Sequence, residues 1–174
     1  MSKTSMTTVF LKECMADSLI RLMAQKNISK ITVEEIVAGA GVNRSTWFRN
    51  FSTKNEALYF KLIMLWNKWV EDNKVPERQH LSLRHVPDFF KFNYEIKDFL
   101  KILSSAGLDP IIFEAFSEIM MSMYGTTPKE RYQVRFFSHG LFGLLEEWIK
   151  RDFAESPQEM SDIFYKYCAA AWEA

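Results

Sequence analysis

The sequence predicts an all-α protein, and three observations predict it. Apolar residues recur at helical spacing along most of the chain, strand-like alternation is absent, and Gly and Pro are few (six and five in 174 residues). Helix starts are written as caps. Thr32 with Glu35, and Thr53 with Glu56, have capping-box spacing. Thr127-Pro128 with Glu130, and Ser156-Pro157 with Glu159, each place a cap, a proline in the first turn and an acid at the third position.

The elements follow in order. A first helix is expected over about 7–25, with Leu11, Met15, Leu19 and Leu22 on one face. Asn27 stands where a left-handed residue would end it. A short second helix covers 32–40, with Val33, Ile36 and Val37 inward. Ala40-Gly41-Val42 is a tight turn, and Asn43 caps a third helix to about Asn50 that turns Trp47 and Phe51 inward. A fourth helix runs over about 54–72, with Leu58, Leu62, Leu65, Trp66 and Trp69 in one stripe. The stretch 74–87 is polar, holds two prolines and has no clean period, as a linker would. Four further helices are expected at about 88–104, 110–124, 128–153 and 157–172, the first two apolar on more than one face.

Composition narrows the function classes. The formal net charge is zero, but residues 1–54 carry eight basic against four acidic side chains, an excess of four positive charges balanced by the acidic remainder. A basic first third on an acidic body suits a nucleic-acid-binding head. Aromatic residues make up 15% of the chain, fifteen of them Phe, which points to a ring-lined pocket or a large apolar interface. The two cysteines, Cys14 and Cys168, lie far apart in apolar helical patterns and read as free thiols of a reducing compartment. The polar N-terminus and the lack of a long apolar run predict a cytoplasmic protein with no membrane partner. Enzyme chemistry finds no foothold. The three histidines, His80, His85 and His139, belong to no Ser-His-Asp set, phosphate loop or dinucleotide fingerprint. Cys14, Cys168, His80 and His85 lack metal-ligand spacing, so no metal and no cofactor is expected.

Segments 32–40 and 43–51, joined by a glycine turn, have the parts of a helix-turn-helix. The second helix leaves Arg44, Ser45, Thr46, Phe48, Arg49 and Asn50 outward or at its edges. Arg can donate two bonds to guanine, and Ser and Thr can donate, accept or touch a thymine methyl, so this set suits a major groove.

Residues 31–58, ITVEEIVAGAGVNRSTWFRNFSTKNEAL, resemble the N-terminal signature of TetR-type transcription regulators. The shared features are the Thr-Val start, the Ile-Ala step, the Gly-Val turn, the recognition helix with its Thr and aromatic pair, and a closing Lys and Leu. The resemblance implies a three-helix DNA-binding domain over 1–53 and a helical ligand-binding and dimerisation domain over 54–174. It implies that Arg44 and Thr46 read bases, that Ser45, Phe48 and Asn50 lie against DNA, and that Thr32 and Lys54 hold phosphates. Phe48 and Asn50 depart from the Tyr and His usual in the family, Asn27 from a usual Gly, and Trp47 is bulkier than the common residue.

The same resemblance implies a homodimer on a double-stranded DNA operator, acting as a repressor under a small apolar or aromatic effector. Gly140 and Gly143, among large apolar residues, would let helices approach closely, placing the dimer on 134–153 and 157–172 through Gly140, Leu141, Leu144, Trp148, Phe164, Cys168 and Trp172. The candidate pocket residues are Trp66, Phe89, Phe92, Phe113, Phe116, Met120, Tyr124, Phe137 and His139, with Tyr124 or His139 orienting the effector. The rival use of the same fold is a coregulator or activator whose body binds a protein.

Overall fold

The computed structural model describes residues 3–75, 83–124 and 127–166, and within them nine α-helices and no strand. His80, Cys168 and Trp172 lie outside the described residues, as does the side chain of Tyr124.

Helix α1 (Lys3–Met23) buries Met15, Ala16 and Leu19 completely. It ends earlier than expected, and Asn27 is not left-handed: its φ is −58° and ψ 137°. The reason is local. The Asn27 amide oxygen accepts from the Ser29 backbone N–H (2.9 Å) and hydroxyl (2.7 Å), so the residue caps the next 3-10 turn, Ile28–Lys30, and does not close α1.

Helix α2 (Val33–Ala40) starts in the full capping box of Thr32 and Glu35. It ends at Gly41, whose φ of 67° is the left-handed conformation that a side chain would strain. Helix α3 (Arg44–Asn50) is capped by Asn43 and anchored by Trp47 and the following Phe51, whose rings are 5.2 Å apart. Helix α4 (Lys54–Asp72) is capped by Thr53, but only half the anticipated box forms. Glu56 reaches back one residue further, accepting from the Ser52 N–H at 2.8 Å.

The long helix expected over 88–104 is two: α5 (Val86–Glu95) and α6 (Lys97–Ser105), bent at Ile96. The bend lets each helix bury its own face, Phe89, Phe90 and Phe92 on α5 and Phe99, Leu100 and Leu103 on α6. Pro87 falls inside the first turn of α5, a position that tolerates a missing N–H. Helices α7 (Asp109–Tyr124), α8 (Pro128–Lys150) and α9 (Pro157–Phe164) follow, the last two starting in capping boxes as the sequence predicts. Helix α8 stops three residues early because Asp152 and Phe153 take positive φ, 56° and 55°, and Phe153 turns its ring back onto Trp148.

The core is continuous. In the head, α1 packs on α2 and α4, closing over Ile36, Val37, Trp47 and Phe51. In the body, α4 packs on α7, α7 on α8, and α5 on α9. Helix α4 therefore belongs to both halves: Ala57 and Leu58 complete the head, while Leu62 and Trp69 face the body. Among the described residues no helix is long and apolar enough to cross a membrane, and no metal-ligand cluster forms.

Candidate functional site

Helix α3 sits on the surface as a short rod with one buried and one open side. Trp47, 1% exposed, fills the head core, and Phe51 stacks between Trp47 and Phe60 (5.2 and 5.8 Å). Two large rings at a four-residue step fix both the depth and the rotation of so short a helix. The open side then carries Arg44, Ser45, Phe48 and Arg49, all exposed, with Phe48 56% accessible.

Asn43 organises the start of this helix. Its amide oxygen accepts from the Thr46 N–H (3.0 Å), the Thr46 hydroxyl (2.9 Å) and the Ser45 hydroxyl (2.7 Å). Both hydroxyls are thus turned to one point and keep their oxygens as acceptors. The spacing predicts Asn43 as a cap; its orienting of Ser45 and Thr46 is seen only in the geometry. Arg49 donates to the Ser45 carbonyl and hydroxyl, both at 3.2 Å, and the Asn50 amide donates to the Thr46 carbonyl at 2.7 Å. Asn50 is therefore tied to its own helix, with its amide oxygen left to other partners.

Arg44 leans toward α2. Its Nε lies 3.0 Å from Glu34 Oε1, and its guanidinium carbon 5.3 Å from the Phe48 ring centre. Thr32 is committed to its capping box. Its N–H and hydroxyl donate to Glu35 Oε2 (2.9 and 3.1 Å), and its oxygen accepts from the Glu35 N–H (3.2 Å). Glu35 is further held by Lys26, and these bonds, from Lys26 first and then the Thr32 N–H, lower its pKa from 4.5 to about 2. Lys54 donates to the carbonyls of Ile28 (2.5 Å) and Ile31 (3.0 Å), pinning the 3-10 turn to the start of α4. An ammonium has three N–H groups, so one remains for an anion.

The body holds an apolar cavity of about 50 Å³ between α4, α5, α7 and α8. Of the residues expected at a pocket, Trp66, Phe89, Phe92, Phe116, Met120 and Phe137 line it. Phe113 and His139 do not reach it. They meet edge to face on an outer side (4.6 Å), with Phe142 beside Phe113, and His139 Nδ1 pairs with the Arg135 carbonyl at 2.8 Å. The polar groups at the cavity are instead His85 and Asn93. Asn93 is 4% exposed and donates to the Phe89 carbonyl (2.8 Å), leaving its oxygen to offer. Neither stands out in the sequence, because His85 lies in a stretch that looks like linker and Asn93 in one that looks like core.

The residues anticipated at a dimer face divide. Leu141, Trp148 and Phe164 are buried within the protomer: the Trp148 ring stacks with Tyr94 and Phe153 and its N–H donates to the Glu155 carbonyl, and Phe164 meets Phe137. Leu144 is half-buried. Gly140 is exposed, and a side chain at Gly140 or Gly143 would meet nothing within 4 Å. The same side of α8 exposes Tyr132 (81%) and Phe136 (72%).

A two-helix unit with a glycine turn, docked on a long first helix and followed by a helical body, defines a helix-turn-helix DNA-binding regulator. Residues 17–58 match the family described as bacterial regulatory proteins, tetR family, and residues 88–169 match a transcriptional regulator C-terminal region. No curated protein is matched by the chain. The two matches cover head and body in order, and the chain belongs to the TetR family of transcriptional regulators.

Proposed function

We propose that this regulator is a homodimeric repressor that reads an operator through α3 and releases it when a small apolar or aromatic effector enters the body. The observation that carries the reading is the outward face of α3: Arg44, Ser45 and Thr46 are held in fixed orientations on a helix anchored by Trp47 and Phe51. Arg44 and Thr46 take base edges, Ser45, Phe48 and Asn50 lie along the groove, and Thr32 and the third N–H of Lys54 take phosphates. No catalytic step and no cofactor belong to this reading, and the cytoplasm is its place.

Two heads must reach one face of the duplex, so the two α3 helices should lie about 34–36 Å apart, or a multiple of that. The exposed side of α8 with Tyr132, Phe136, Gly140 and Gly143 supports a two-fold interface there. The effector reading is supported by the cavity, whose lining offers rings and methyls with only Asn93 and His85 as polar groups. At about 50 Å³ the cavity has room for a few waters, so a ring-sized effector would have to widen it between α4 and α7. That movement would strain the bond from the Tyr59 hydroxyl on α4 to Glu118 on α7, which ties the head-bearing helix to the cavity wall. The small cavity and the exposed rings on α8 together favour, as second reading, a coregulator whose body binds a protein.

The test is titration of fluorescent duplex carrying the protein's own upstream region, at several salt concentrations. Binding with a log–log salt slope of several units, and one dimer per site, supports the reading; a slope near zero removes the phosphate contacts.

A further inference from the structure

Arg44 is held on two sides before any DNA arrives. Glu34 Oε1 meets its Nε at 3.0 Å, and the Phe48 ring lies under its guanidinium at 5.3 Å. The two charged side chains are 67% and 62% exposed, so the pair adds little to stability. Its consequence is orientation. A guanidinium is a planar fork of five N–H donors. The Glu34 carboxylate beside Nε and the Phe48 ring near the guanidinium bias where Arg44 sits and leave base contact to the edge with its two Nη groups. That edge is the one a guanine accepts through O6 and N7.

Glu34 and Glu35 both stand in the first turn of α2, but they do different work. Glu35 is turned back onto Lys26 and Thr32, whereas Glu34 reaches forward across the turn to α3.

We infer that Glu34 is a specificity-determining positioning residue: it sets Arg44 to donate to a guanine at one base pair of each half-site and penalises the alternatives. The inference rests on the reading of Arg44 as a base reader. With guanine in place, Arg44 serves base and carboxylate together. Where guanine is missing, Arg44 must swing to a phosphate, and Glu34 is left as an unpaired carboxylate facing the DNA backbone. Discrimination thus comes from a good contact and a built-in repulsion at once.

The experiment uses the full chain and a pool of random-sequence duplexes, from which the wild type selects a consensus. Binding is then measured by fluorescence anisotropy to the consensus duplex, to its single-base-pair replacements and to a scrambled duplex. The wild type should prefer guanine at one position about 5- to 150-fold, the range of one bidentate contact. Glu34→Gln should cut that preference at least about threefold while binding the scrambled duplex as well or better, because a repelling charge is gone. Glu34→Asp keeps the charge but draws it back by one methylene; it should lose the preference without gaining on the scrambled duplex. Arg44→Ala combined with Glu34→Gln should match Arg44→Ala alone at that base pair. A Glu34→Gln protein that keeps the full guanine preference, or gains equally on consensus and scrambled DNA, overturns the inference. If Arg44→Ala itself leaves the preference intact, the base-reading role of Arg44 fails instead, and the two failures are told apart.

Discussion

Arg44 and Glu35 illustrate how much one side chain carries in this head. Replacing Arg44 with Ala is expected to weaken operator binding by about 1–3 kcal/mol and to relax one base position, read from the same duplex panel; equal loss on every sequence would make Arg44 a phosphate contact only. Glu35 carries a pH dependence. Its folded pKa of about 2 lies below the ordinary 4.5, so it favours the folded state above pH 4.5 and that contribution fades as pH falls toward 2. Thermal unfolding of Glu35→Gln should therefore show a weaker dependence on pH between those limits than wild type; identical profiles would mean that the Lys26 pair does not form in solution. Much at this scale was legible in the sequence. The capping box at Thr32, the inward Trp47 and the outward Arg44 follow from spacing alone. The partners were not. Glu34 meeting Arg44, and Lys54 meeting two carbonyls about 25 residues earlier in the chain, depend on how the helices cross, which no local pattern encodes.

At the scale of the element, helix starts were easier to read than helix ends. Starts are local: Thr32, Asn43, Thr53, Thr127 and Ser156 each accept from a backbone N–H three residues on. Ends are set by packing. The bend at Ile96 divides what reads as one apolar helix, and α8 stops where Phe153 returns to Trp148. The cavity obeys the same rule. Rings spaced along α5 and α7 pointed to it, but which of them face inward depends on helix rotation, so Phe113 and His139 went outside while Asn93 came in. Helix α3, with seven residues, cannot hold itself together alone and leans on Trp47. Trp47→Ala should cost about 3–5 kcal/mol in denaturant unfolding, the usual range for a buried ring. It should also abolish operator binding before the body unfolds; a loss below about 1 kcal/mol would show that the head does not depend on this anchor.

At the scale of the whole molecule, one surface decides whether the protein can read DNA with two heads. The most exposed large apolar side chains include Tyr132 and Phe136, both on α8 and on the same side as Gly140 and Gly143. Leu141, Trp148 and Phe164, anticipated at the interface, are buried within the chain, so on the dimer proposed above a second copy would meet the outer side of α8. Aromatic residues beside glycines suit a two-fold contact, because the rings of one copy can lie over the small residues of the other. Phe136→Glu tests this without touching the core. Phe136 is 72% exposed, and a surface change of that kind alters the stability of the protomer by no more than about 0.5 kcal/mol. Across a two-fold interface it would place two carboxylates close together in an apolar setting, which opposes association. Light scattering should then report a dimer for the wild type and a monomer for the variant. Operator affinity should fall while the guanine preference of each half-site persists, because α3 is unchanged and only the linkage between heads is lost. A Phe136→Glu protein that stays dimeric and binds the operator normally would place the interface elsewhere and leave the exposed rings of α8 to a different partner.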